Sequence, residues 1–438
     1  MKVEVQWKKL VKPTAPTPHH RQKLKLSPID EIQVPFYVGI IFYYRDNAEN
    51  RGVDTLQKLH RMEKSLSETL TLFYPMAGRY VEDDGCFIDC NDLGVEFVHA
   101  KVDAQIDQLL HGDLDMDLLG RLSQFPTNVE GNPLVVIQVN TFKCGGLVIG
   151  LRFTRKIGDV CTFAMFFNSW ATAFQGNMDS VECPNFELYT LFSGKEPVVR
   201  YRPPPPTGNE EFVTSRFKFS SDAILKLKAL ARDDAKDSMA NGSQPSRVGV
   251  VSALISRALI DIDRIKHGEK RAFVVSMTAN LREKTSVAMP ANSFGNFSAV
   301  MFAQSGQPTD GKSKLEFNGL VHVICDMISD AKTKYATVVD KGELCSMVVN
   351  SQAEFLKNVS TNSEEFVIAF SSWCRYGLRE IDFGWGRPIF VSHTSVNFRL
   401  IVLLDDEEDG GINACITIKK DEMILLKQDP EILAFQKI

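Results

Sequence analysis

The sequence lacks several features that would indicate other classes of protein. It has no run of about 18 uninterrupted apolar residues, the length of a membrane-spanning helix, and its first residues lack the apolar core of a secretory signal. It also has no excess of basic residues, since 50 Lys and Arg stand against 55 Asp and Glu, for a formal net charge of -5. The composition therefore argues against nucleic acid and membranes as partners and predicts a cytoplasmic protein.

A pattern for binding metals or phosphates is missing too. The nine cysteines are scattered and lie mostly in apolar surroundings, which is typical of reduced thiols that pack in a core. Cys86 and Cys90 come closest to a metal motif, but they have no matching second pair and no histidine nearby. A glycine-rich phosphate-binding loop is absent. We therefore expect no bound metal.

The residues that are present can form a large core in two parts. Of the 438 residues, 44% are hydrophobic and 24% charged, close to the average for globular chains. Four consecutive prolines, Pro203 to Pro206, force an extended path within residues 196–211. We therefore predict an N-terminal domain over residues 1–195, a crossover linker over 196–211 and a C-terminal domain over 212–438, each of ordinary domain size.

Apolar periodicity predicts both helices and strands in each half. Helices are predicted over Thr55–Phe73, Thr162–Phe174, Ser221–Ala231 and Leu320–Ala336, and between the cap residues Ser246 and Gly268. Strands are predicted over Leu134–Val139, Gly146–Phe153 and Phe273–Met277, with hairpins over Gly85–His99 and between Phe398–Leu404 and Ile412–Ile418. This mixture predicts α/β or α+β layers.

The most informative segment is DFGWG, which has one glycine on each side of a tryptophan. Gly384 and Gly386 permit positive φ angles, and Asp382 can accept hydrogen bonds from nearby backbone N–H groups. Phe383 and Trp385 can anchor the loop in a core. Taken alone, the segment predicts a structured turn.

Together with other motifs, DFGWG resembles the hallmark of the BAHD acyltransferases. These plant enzymes transfer acyl groups from coenzyme A thioesters to alcohols or amines. Four further matches to the family span the chain: Leu72–Arg79, Gln138–Asn140, Asn280–Arg282 and Ser293–Asn296. The run Ser371–Arg375 is similar to the vinorine synthase and salutaridinol acetyltransferase branch, which acetylates alkaloid alcohols.

The resemblance implies an α/β fold of two chloramphenicol-acetyltransferase-like domains with a solvent channel between them. Acetyl-CoA or another acyl-CoA would be the co-substrate, with a small-molecule acceptor entering from the opposite face and no metal. The implied function is O-acyl transfer, most simply of an acetyl group, to an alcohol of a specialised metabolite such as an alkaloid or terpenoid. The protein would act as a monomer.

The same resemblance identifies the site residues. In the family, an H-x-x-x-D motif lies in the channel, where its His takes the proton of the acceptor hydroxyl and its Asp pairs with an Arg. Carried over, Asp159 and Arg282 are the candidates for the pair, but the position four residues before Asp159 holds Arg155. An arginine has no acceptor lone pair and stays protonated at neutral pH, so Arg155 cannot act as a general base. Such a base typically contributes about 10²- to 10⁴-fold in rate.

Three explanations of Arg155 stay open. In the first, acyl transfer survives with another base, for which His393 is the best substitute because it follows the DFGWG loop, or with help from the acceptor itself. In the second, Arg155 holds a carboxylate, phosphate or developing oxyanion, and the channel catalyses a coenzyme-A-independent elimination, cyclisation or rearrangement. In the third, the chain is a silent ligand-binding paralogue or carries a substitution in an ordinary enzyme. Arg152 forms either an anion clamp with Arg155 or separate salt bridges.

Overall fold

The structure is a computed structural model that describes most of the chain. The described residues are 1–46, 55–83, 85–110, 113–192, 211–233, 244–269, 271–305, 316–361, 366–394, 396, 398–406 and 409–437. The predicted linker at 196–211 lies outside them except for Glu211, so the domain boundaries drawn from it stay a prediction. Within the described residues, no helix is long and apolar enough to cross a membrane.

Strands and helices are mixed along the described residues. The strands are β1 (Val3–Val11), β2 (Lys23–Lys25), β3 (Tyr37–Tyr44), β4 (Arg79–Asp83), β5 (Gly85–Asp89), β6 (Val95–Val102), β7 (Leu114–Asp115), β8 (Val135–Phe142), β9 (Leu147–Thr154), β10 (Phe212–Phe219), β11 (Phe273–Asn280), β12 (Ser298–Gln304), β13 (Phe366–Ser372), β14 (Phe390–His393), β15 (Leu400–Asp405) and β16 (Ile412–Lys419). The helices are α1 (Pro28–Glu31), α2 (Thr55–Leu72), α3 (Asp107–Leu110), α4 (Met116–Leu122), α5 (Val160–Phe174), α6 (Leu188–Leu191), α7 (Ser221–Asp233), α8 (Arg247–His267), α9 (Phe317–Ala336), α10 (Lys341–Thr361), α11 (Lys420–Leu426) and α12 (Pro430–Phe435).

Two large mixed sheets and one small sheet organise these strands. The first large sheet has the order β1-β6-β8-β9-β3-β14, the second β12-β11-β13-β15-β16-β10-β7, and the small one β2-β5-β4. Pairing is parallel between β6 and β8, between β11 and β13 and between β13 and β15. The mixed α/β class expected from the sequence is confirmed.

The two halves of the chain exchange strands. β14 comes from the second half but pairs with β3 in the first sheet, with His393 opposite Ile40. β7 comes from the first half and pairs with β10 in the second sheet. The DFGWG side chains Phe383 and Trp385 also pack in the core of the first half. The predicted C-terminal domain contains DFGWG by chain position, whereas in space this loop lies with the first sheet.

The aromatic face of α5 lies in the first core, as expected for packing residues. Phe163, Phe166 and Trp170 are fully buried. The indole N–H of Trp170 donates to the backbone oxygen of Met62 and to Oγ of Ser65, both at 3.1 Å, which joins α5 to α2. These bonds satisfy the one polar atom that the large ring takes into the core.

The predicted hairpin over Gly85–His99 is wrong. Its two strands exist, but β5 pairs in the small sheet and β6 in the first large sheet. The turn between them is held elsewhere, because the carboxylate of Asp92 accepts bonds from the backbone N and hydroxyl of Thr17 at 2.7 and 2.6 Å. A Cβ on Gly94 would come within 2.5 Å of the Val11 carbonyl oxygen, so this glycine lets the chain pass beside β1.

The other boundary signals are confirmed. Ser246 caps α8 by accepting a bond from the Gly249 backbone N at 2.9 Å, and Gly268 ends the helix in the left-handed conformation with φ 78°. The strands β15 and β16 pair antiparallel, as the second predicted hairpin requires. Local cap and turn chemistry therefore predicted the ends of these elements correctly.

Candidate active site

The loop 155–159 connects the end of β9 to the start of α5. Asp159 is the N-cap of α5, and its Oδ1 accepts a bond from the Thr162 backbone N at 3.1 Å. A Cβ on Gly158 would lie 2.8 Å from the Thr162 side chain, so the loop needs a glycine there to fold back on the helix. Strand, cap and glycine together fix the backbone that carries Arg155.

Asp159 and Arg282 form a buried ion pair. Nη1 of Arg282 donates to Oδ2 of Asp159 at 2.8 Å, and the Phe297 backbone N donates to the same oxygen at 3.0 Å. Nη2 of Arg282 also donates to the backbone oxygens of Gly295 and Ser293, at 2.8 and 3.0 Å. The pair expected from the resemblance is therefore present, and it joins two of the family motifs to the start of α5.

Electrostatics keep this pair ionised. Burial acts to raise the pKa of Asp159, but the charge and hydrogen bond of Arg282 and two backbone N–H donors hold it below its ordinary value. Burial likewise acts to lower the pKa of Arg282, but the charge of Asp159 raises it overall. A buried pair of this kind typically costs about 3–5 kcal/mol when one partner is removed.

Arg155 lies beside this pair and is half-buried. Its Nη2 donates to Oε1 of Gln33 at 2.9 Å and its Nη1 to the Gly158 carbonyl at 3.2 Å. Its own carbonyl accepts a bond from Nδ2 of Asn296 at 2.9 Å. The side chain of Arg155 is thus held by Gln33, two residues after the end of α1, and its backbone by the Ser293–Asn296 motif.

The guanidinium of Arg155 is a fixed cation rather than a base. Burial lowers its pKa, while the negative charge of Asp159, then of Asp30, and the hydroxyl of Tyr376 act in the opposite direction. An arginine side chain nevertheless stays protonated throughout the neutral range. Asp30, Tyr376 and the neighbouring Lys156 were not among the site residues identified from the sequence.

Asp30 is a buried carboxylate that joins α1 to the Ser293–Asn296 motif. Its Oδ1 accepts bonds from the backbone N and Nδ2 of Asn296 at 2.7 and 2.8 Å, and its Oδ2 accepts from Oγ of Ser27 at 2.6 Å. Burial raises the pKa of Asp30. Ser27 and Asp30 form a capping box, so the S-x-x-D spacing could have marked this helix start in the sequence.

His393 does not have the geometry of a substitute base. It is 2% exposed, and burial lowers its pKa to about 4. Its Nδ1 lies 2.6 Å from the Thr394 carbonyl, to which it must donate, so Nε2 accepts from the hydroxyl of Thr417 at 2.9 Å. Both ring nitrogens are therefore occupied. This contradicts the expectation that His393 replaces a catalytic base, and it makes His393 a link between the two large sheets.

Arg152 and Arg155 do not form an anion clamp. Nε of Arg152 donates to the backbone oxygen of Ser123 at 3.0 Å, and its guanidinium lies 4.2 Å from the ring centroid of Phe125. Burial lowers the pKa of Arg152 to about 9. Arg155 instead reaches Gln33, so the two guanidinium groups have separate partners.

The DFGWG loop has the turn geometry predicted for it. Oδ1 of Asp382 accepts bonds from the backbone N of Gly384 and of Gly386, at 2.6 and 2.9 Å. Both glycines have positive φ, 90° and 104°. The ring of Phe383 stacks on that of Trp385, with centroids 5.1 Å apart. The aspartate therefore closes the turn, and the two aromatic rings anchor it.

DFGWG and Arg155 lie at opposite ends of α5. The rings of Phe383 and Trp385 contact Phe174, the last residue of that helix, at 5.8 and 5.0 Å between centroids. Asp159 caps the other end of the 15-residue helix, which at about 1.5 Å per residue spans about 20 Å. The loop therefore supports the far end of α5 and does not contact Arg155.

A surface groove of about 670 Å³ also lies at the Phe174 end of α5. Arg61 and Lys64 of α2 line it together with Phe174 and Gln175. No residue of the loop 155–159 lines this groove, so we do not assign the chemistry to it. Across the described ranges, no group of three or more His, Cys, Asp or Glu side chains could hold a metal ion.

Known proteins match this chain over nearly its whole length. A family model described as the Transferase family matches residues 1–433. The Acetyl-CoA-benzylalcohol acetyltransferase of Clarkia breweri is 40% identical over 442 residues, which covers 99% of this chain and 100% of that protein. Vinorine synthase of Rauvolfia serpentina is 30% identical over 424 residues, covering 95% of this chain and 94% of that protein.

Solved structures agree in fold. The crystal structure of vinorine synthase matches with a TM-score of 0.79 and 27% identity, over 100% of this chain and 99% of that one. TRI101 of F. sporotrichioides, complexed with Coenzyme A and T-2, matches with a TM-score of 0.73 over 95% of this chain and 99% of that one. At 16% identity, this match shows the fold alone.

The expected α/β architecture of two chloramphenicol-acetyltransferase-like domains is thereby confirmed. The match over residues 1–433 and the 40% identity across the full length show that this chain belongs to the Transferase family, the BAHD acyltransferases.

Proposed function

We propose that the protein transfers an acyl group, in the first place acetyl, from a coenzyme A thioester to the hydroxyl group of a small plant metabolite. The observation that carries this proposal is the 40% identity, over the full length, to a protein named as an acetyltransferase that uses acetyl-CoA and benzylalcohol. An aromatic acceptor is favoured for the same reason. Alkaloid or terpenoid acceptors, a monomeric state and a cytoplasmic location stay predictions.

In this proposal, Arg155 stands at the acyl-transfer centre, at the position of the family's His, and the Asp159–Arg282 pair fixes the loop around it. Arg155 precedes Asp159 by four residues, and its carbonyl is held by Asn296 of the Ser293–Asn296 motif. Asp159 acts here through the loop and does not touch reacting atoms, because both of its oxygens already accept bonds from Arg282, Phe297 and Thr162.

The proposed reaction exchanges a C–S bond for a C–O bond and an O–H bond for an S–H bond. The acceptor oxygen bonds to the thioester carbonyl carbon, the C–S bond breaks, coenzyme A leaves as a thiolate, and the proton of the hydroxyl is finally carried by that sulfur. Arg155 cannot take the proton, but a fixed guanidinium can stabilise negative charge on an oxygen atom of the attacking group or of the tetrahedral intermediate. Acyl transfer through Arg155 is therefore catalysis by charge stabilisation.

We further propose that Lys284, Lys332 and Arg375 contact phosphate groups of coenzyme A. Burial lowers the pKa of Lys284, and the positive charges of Lys332 and Arg375 lower it further. Lys284 follows Arg282 by two residues, and its charge also acts on the thiol of Cys161 at the start of α5. The charge of Glu283 acts in the opposite direction but more weakly, so the positive charges around Lys284 favour an anionic ligand there.

The proposed function is tested by the release of free coenzyme A from acetyl-CoA. The wild-type protein is supplied with aromatic, alkaloid and terpenoid alcohols and with phenols, and product masses are measured alongside. Release that depends on an acceptor, with a product heavier by one acetyl group, is the expected result. Hydrolysis of acetyl-CoA at the same rate without acceptor, or no release with any hydroxyl compound, would contradict it.

A second candidate function is favoured by one observation: the residue four positions before Asp159 is Arg155, and in the described part of the chain the expected substitute His393 has both ring nitrogens occupied. A channel with a fixed cation and no base could catalyse an elimination, cyclisation or rearrangement that uses no coenzyme A. Conversion of a ligand in the complete absence of acyl-CoA, with no acetylated product in its presence, would favour this function over acyl transfer. Saturable binding without any turnover would favour a ligand-binding paralogue.

A further inference from the structure

Two buried carboxylates lie near the guanidinium of Arg155, those of Asp30 and Asp159, and both act on it electrostatically. Of the neighbouring cations, Arg282 is paired with Asp159, and the ammonium group of Lys156 donates to the backbone oxygen of Glu31 at 2.7 Å. A half-buried cation that no carboxylate contacts is costly unless a ligand balances its charge.

The two carboxylates are committed to other partners. Asp159 is paired with Arg282, and Asp30 accepts its bonds from Ser27 and Asn296. They act on Arg155 only through their fields, as does Tyr376. Among the described residues, no carboxylate is therefore hydrogen-bonded to the guanidinium of Arg155.

The guanidinium of Arg155 is held in place by neutral groups. Within the described residues, its side chain donates only to the amide oxygen of Gln33 and the carbonyl of Gly158. Gln33 is itself fixed, because its Nε2 donates to the Ile29 carbonyl at 3.0 Å and lies 3.4 Å from Oε1 of Gln352. Two of the five N–H donors of Arg155 are thereby used, and three are left for a ligand.

Magnitudes decide which hydroxyl such a cation can activate. A positive charge in contact lowers the pKa of an acid by about 1–3 units. An aliphatic hydroxyl, about as acidic as water, would keep a pKa far above neutral after such a shift and give almost no alkoxide at neutral pH. A phenol starts at about 10 and would fall to about 7–9, so a substantial fraction would be the oxyanion.

We propose that the acceptor hydroxyl is acidic, that of a phenol or enol, and that it binds to Arg155 as its oxyanion. The proton leaves to solvent before the reaction, so no protein base is needed. The oxyanion then bonds to the thioester carbonyl carbon, the C–S bond breaks, and the coenzyme A thiolate takes a proton from solvent. This inference rests on the proposed acyl transfer and names its class of acceptor.

The binding step can be tested without any acyl donor. 4-Nitrophenol is titrated with pH in the presence of excess protein, and the absorbance of its phenolate gives the pKa of the bound dye. The wild type is expected to lower that pKa by about 1–3 units, and Arg155→Gln is expected to abolish the shift. Arg61→Gln, at the other end of α5, is the matched control and keeps the shift.

Three results would overturn the oxyanion site. They are no saturable binding of the dye to the wild type, no shift on binding, or the same shift in Arg155→Gln. Thermal melting of the variants shows whether a lost shift comes from a lost fold. Arg155→Lys serves as a second probe, because it keeps the charge and should keep part of the shift in the pKa of the dye. Complete loss of the shift in Arg155→Lys would contradict a purely electrostatic cause.

The acyl-transfer step is tested with matched acceptors. With acetyl-CoA, the wild type should acetylate phenols at least about 10²-fold faster than benzyl alcohol. Arg155→His should reduce or reverse that preference, since it restores a general base, which typically contributes about 10²- to 10⁴-fold in rate. A wild type that prefers benzyl alcohol would overturn this inference and leave acyl transfer intact. A bound-dye shift without acetylation of any acceptor would overturn acyl transfer and leave the oxyanion site intact.

Discussion

The ion pair between Asp159 and Arg282 makes the most quantitative prediction about the fold. The change is Asp159→Asn, which keeps the shape of the side chain and removes its charge. Arg282 is 2% exposed, so the variant leaves a buried guanidinium without its counter-ion. We expect the free energy of unfolding to fall by about 3–5 kcal/mol.

This loss should be large enough to measure by thermal melting. At about 2–4 °C per kcal/mol for domains of about 150–250 residues, it lowers the midpoint by roughly 6–20 °C. The double variant Asp159→Asn/Arg282→Met is the matched comparison. It removes both charges, so it should lose less than the sum of the two single variants.

The same pair predicts a dependence on pH with a definite sign. The pKa of Asp159 is held below its ordinary value, so its contribution is fully present above the pKa of the unfolded chain, about 3.9. It is lost as the pH falls further, and the difference in stability between wild type and Asp159→Asn should shrink there. An unchanged melting midpoint in Asp159→Asn at neutral pH would refute the structural role of the pair.

Three further predictions concern other residues. The folded pKa of His393 lies below the unfolded one, so the wild type should lose about 3 kcal/mol of stability as the pH falls from about 6.5 to about 4. His393→Asn has no group that titrates there and should not show this loss. Identical urea midpoints at every pH in both proteins would contradict this. Gly384→Ala should lose about 1–3 kcal/mol because φ is 90° there, with no clash since a Cβ would lie 3.7 Å from Cγ of Gln175. Its control is Gly319→Ala on the exposed face of α9, where a Cβ meets nothing within 4 Å and a gain of about 0.5–1 kcal/mol is expected; equal melting shifts would contradict a strained turn. Lys284→Ala should raise the KM for acetyl-CoA several-fold with little change in the KM for the acceptor, and a rise in the acceptor KM alone would argue against phosphate contacts.

The sequence predicted well those features that depend on local chemistry. The caps of helix α8, Ser246 and Gly268, were found in the sequence because a side-chain cap and a left-handed glycine act within one turn of the helix. The DFGWG turn closes on Asp382 for the same kind of reason. Such signals need no knowledge of distant residues.

Features that depend on contacts across the chain were harder to predict. β5 and β6 are neighbours in sequence, yet they lie in different sheets, and the turn between them is held by a bond from Thr17 to Asp92, 75 residues away. β14 joins the sheet of the opposite half, next to β3. Neither apolar alternation nor a turn motif carries information on the partner strand.

The site residues also divide into those that a local motif identified and those that depend on distant contacts. The resemblance identified Asp159, Arg282 and Arg155, whereas the buried environment of His393 depends on Thr417 from a strand of the other sheet. A histidine that follows a hallmark loop appears available in the sequence, but its two nitrogens are occupied in the fold. Asp30 was missed because it lies 125 residues before Arg155 and is brought to it by Asn296, which bonds to both residues.

The central claim is acyl transfer from a coenzyme A thioester to an acceptor oxygen by a protein with Arg155 in place of a base. The most direct measurement is the product mass after incubation of the wild-type protein with acetyl-CoA labelled with ¹³C in the acetyl group and an excess of a phenol. We predict a phenyl ester that carries the labelled acetyl group, formed together with an equal amount of free coenzyme A. The claim would be contradicted if the wild type left the labelled acetyl-CoA and the phenol unchanged while Arg155→His produced the labelled ester.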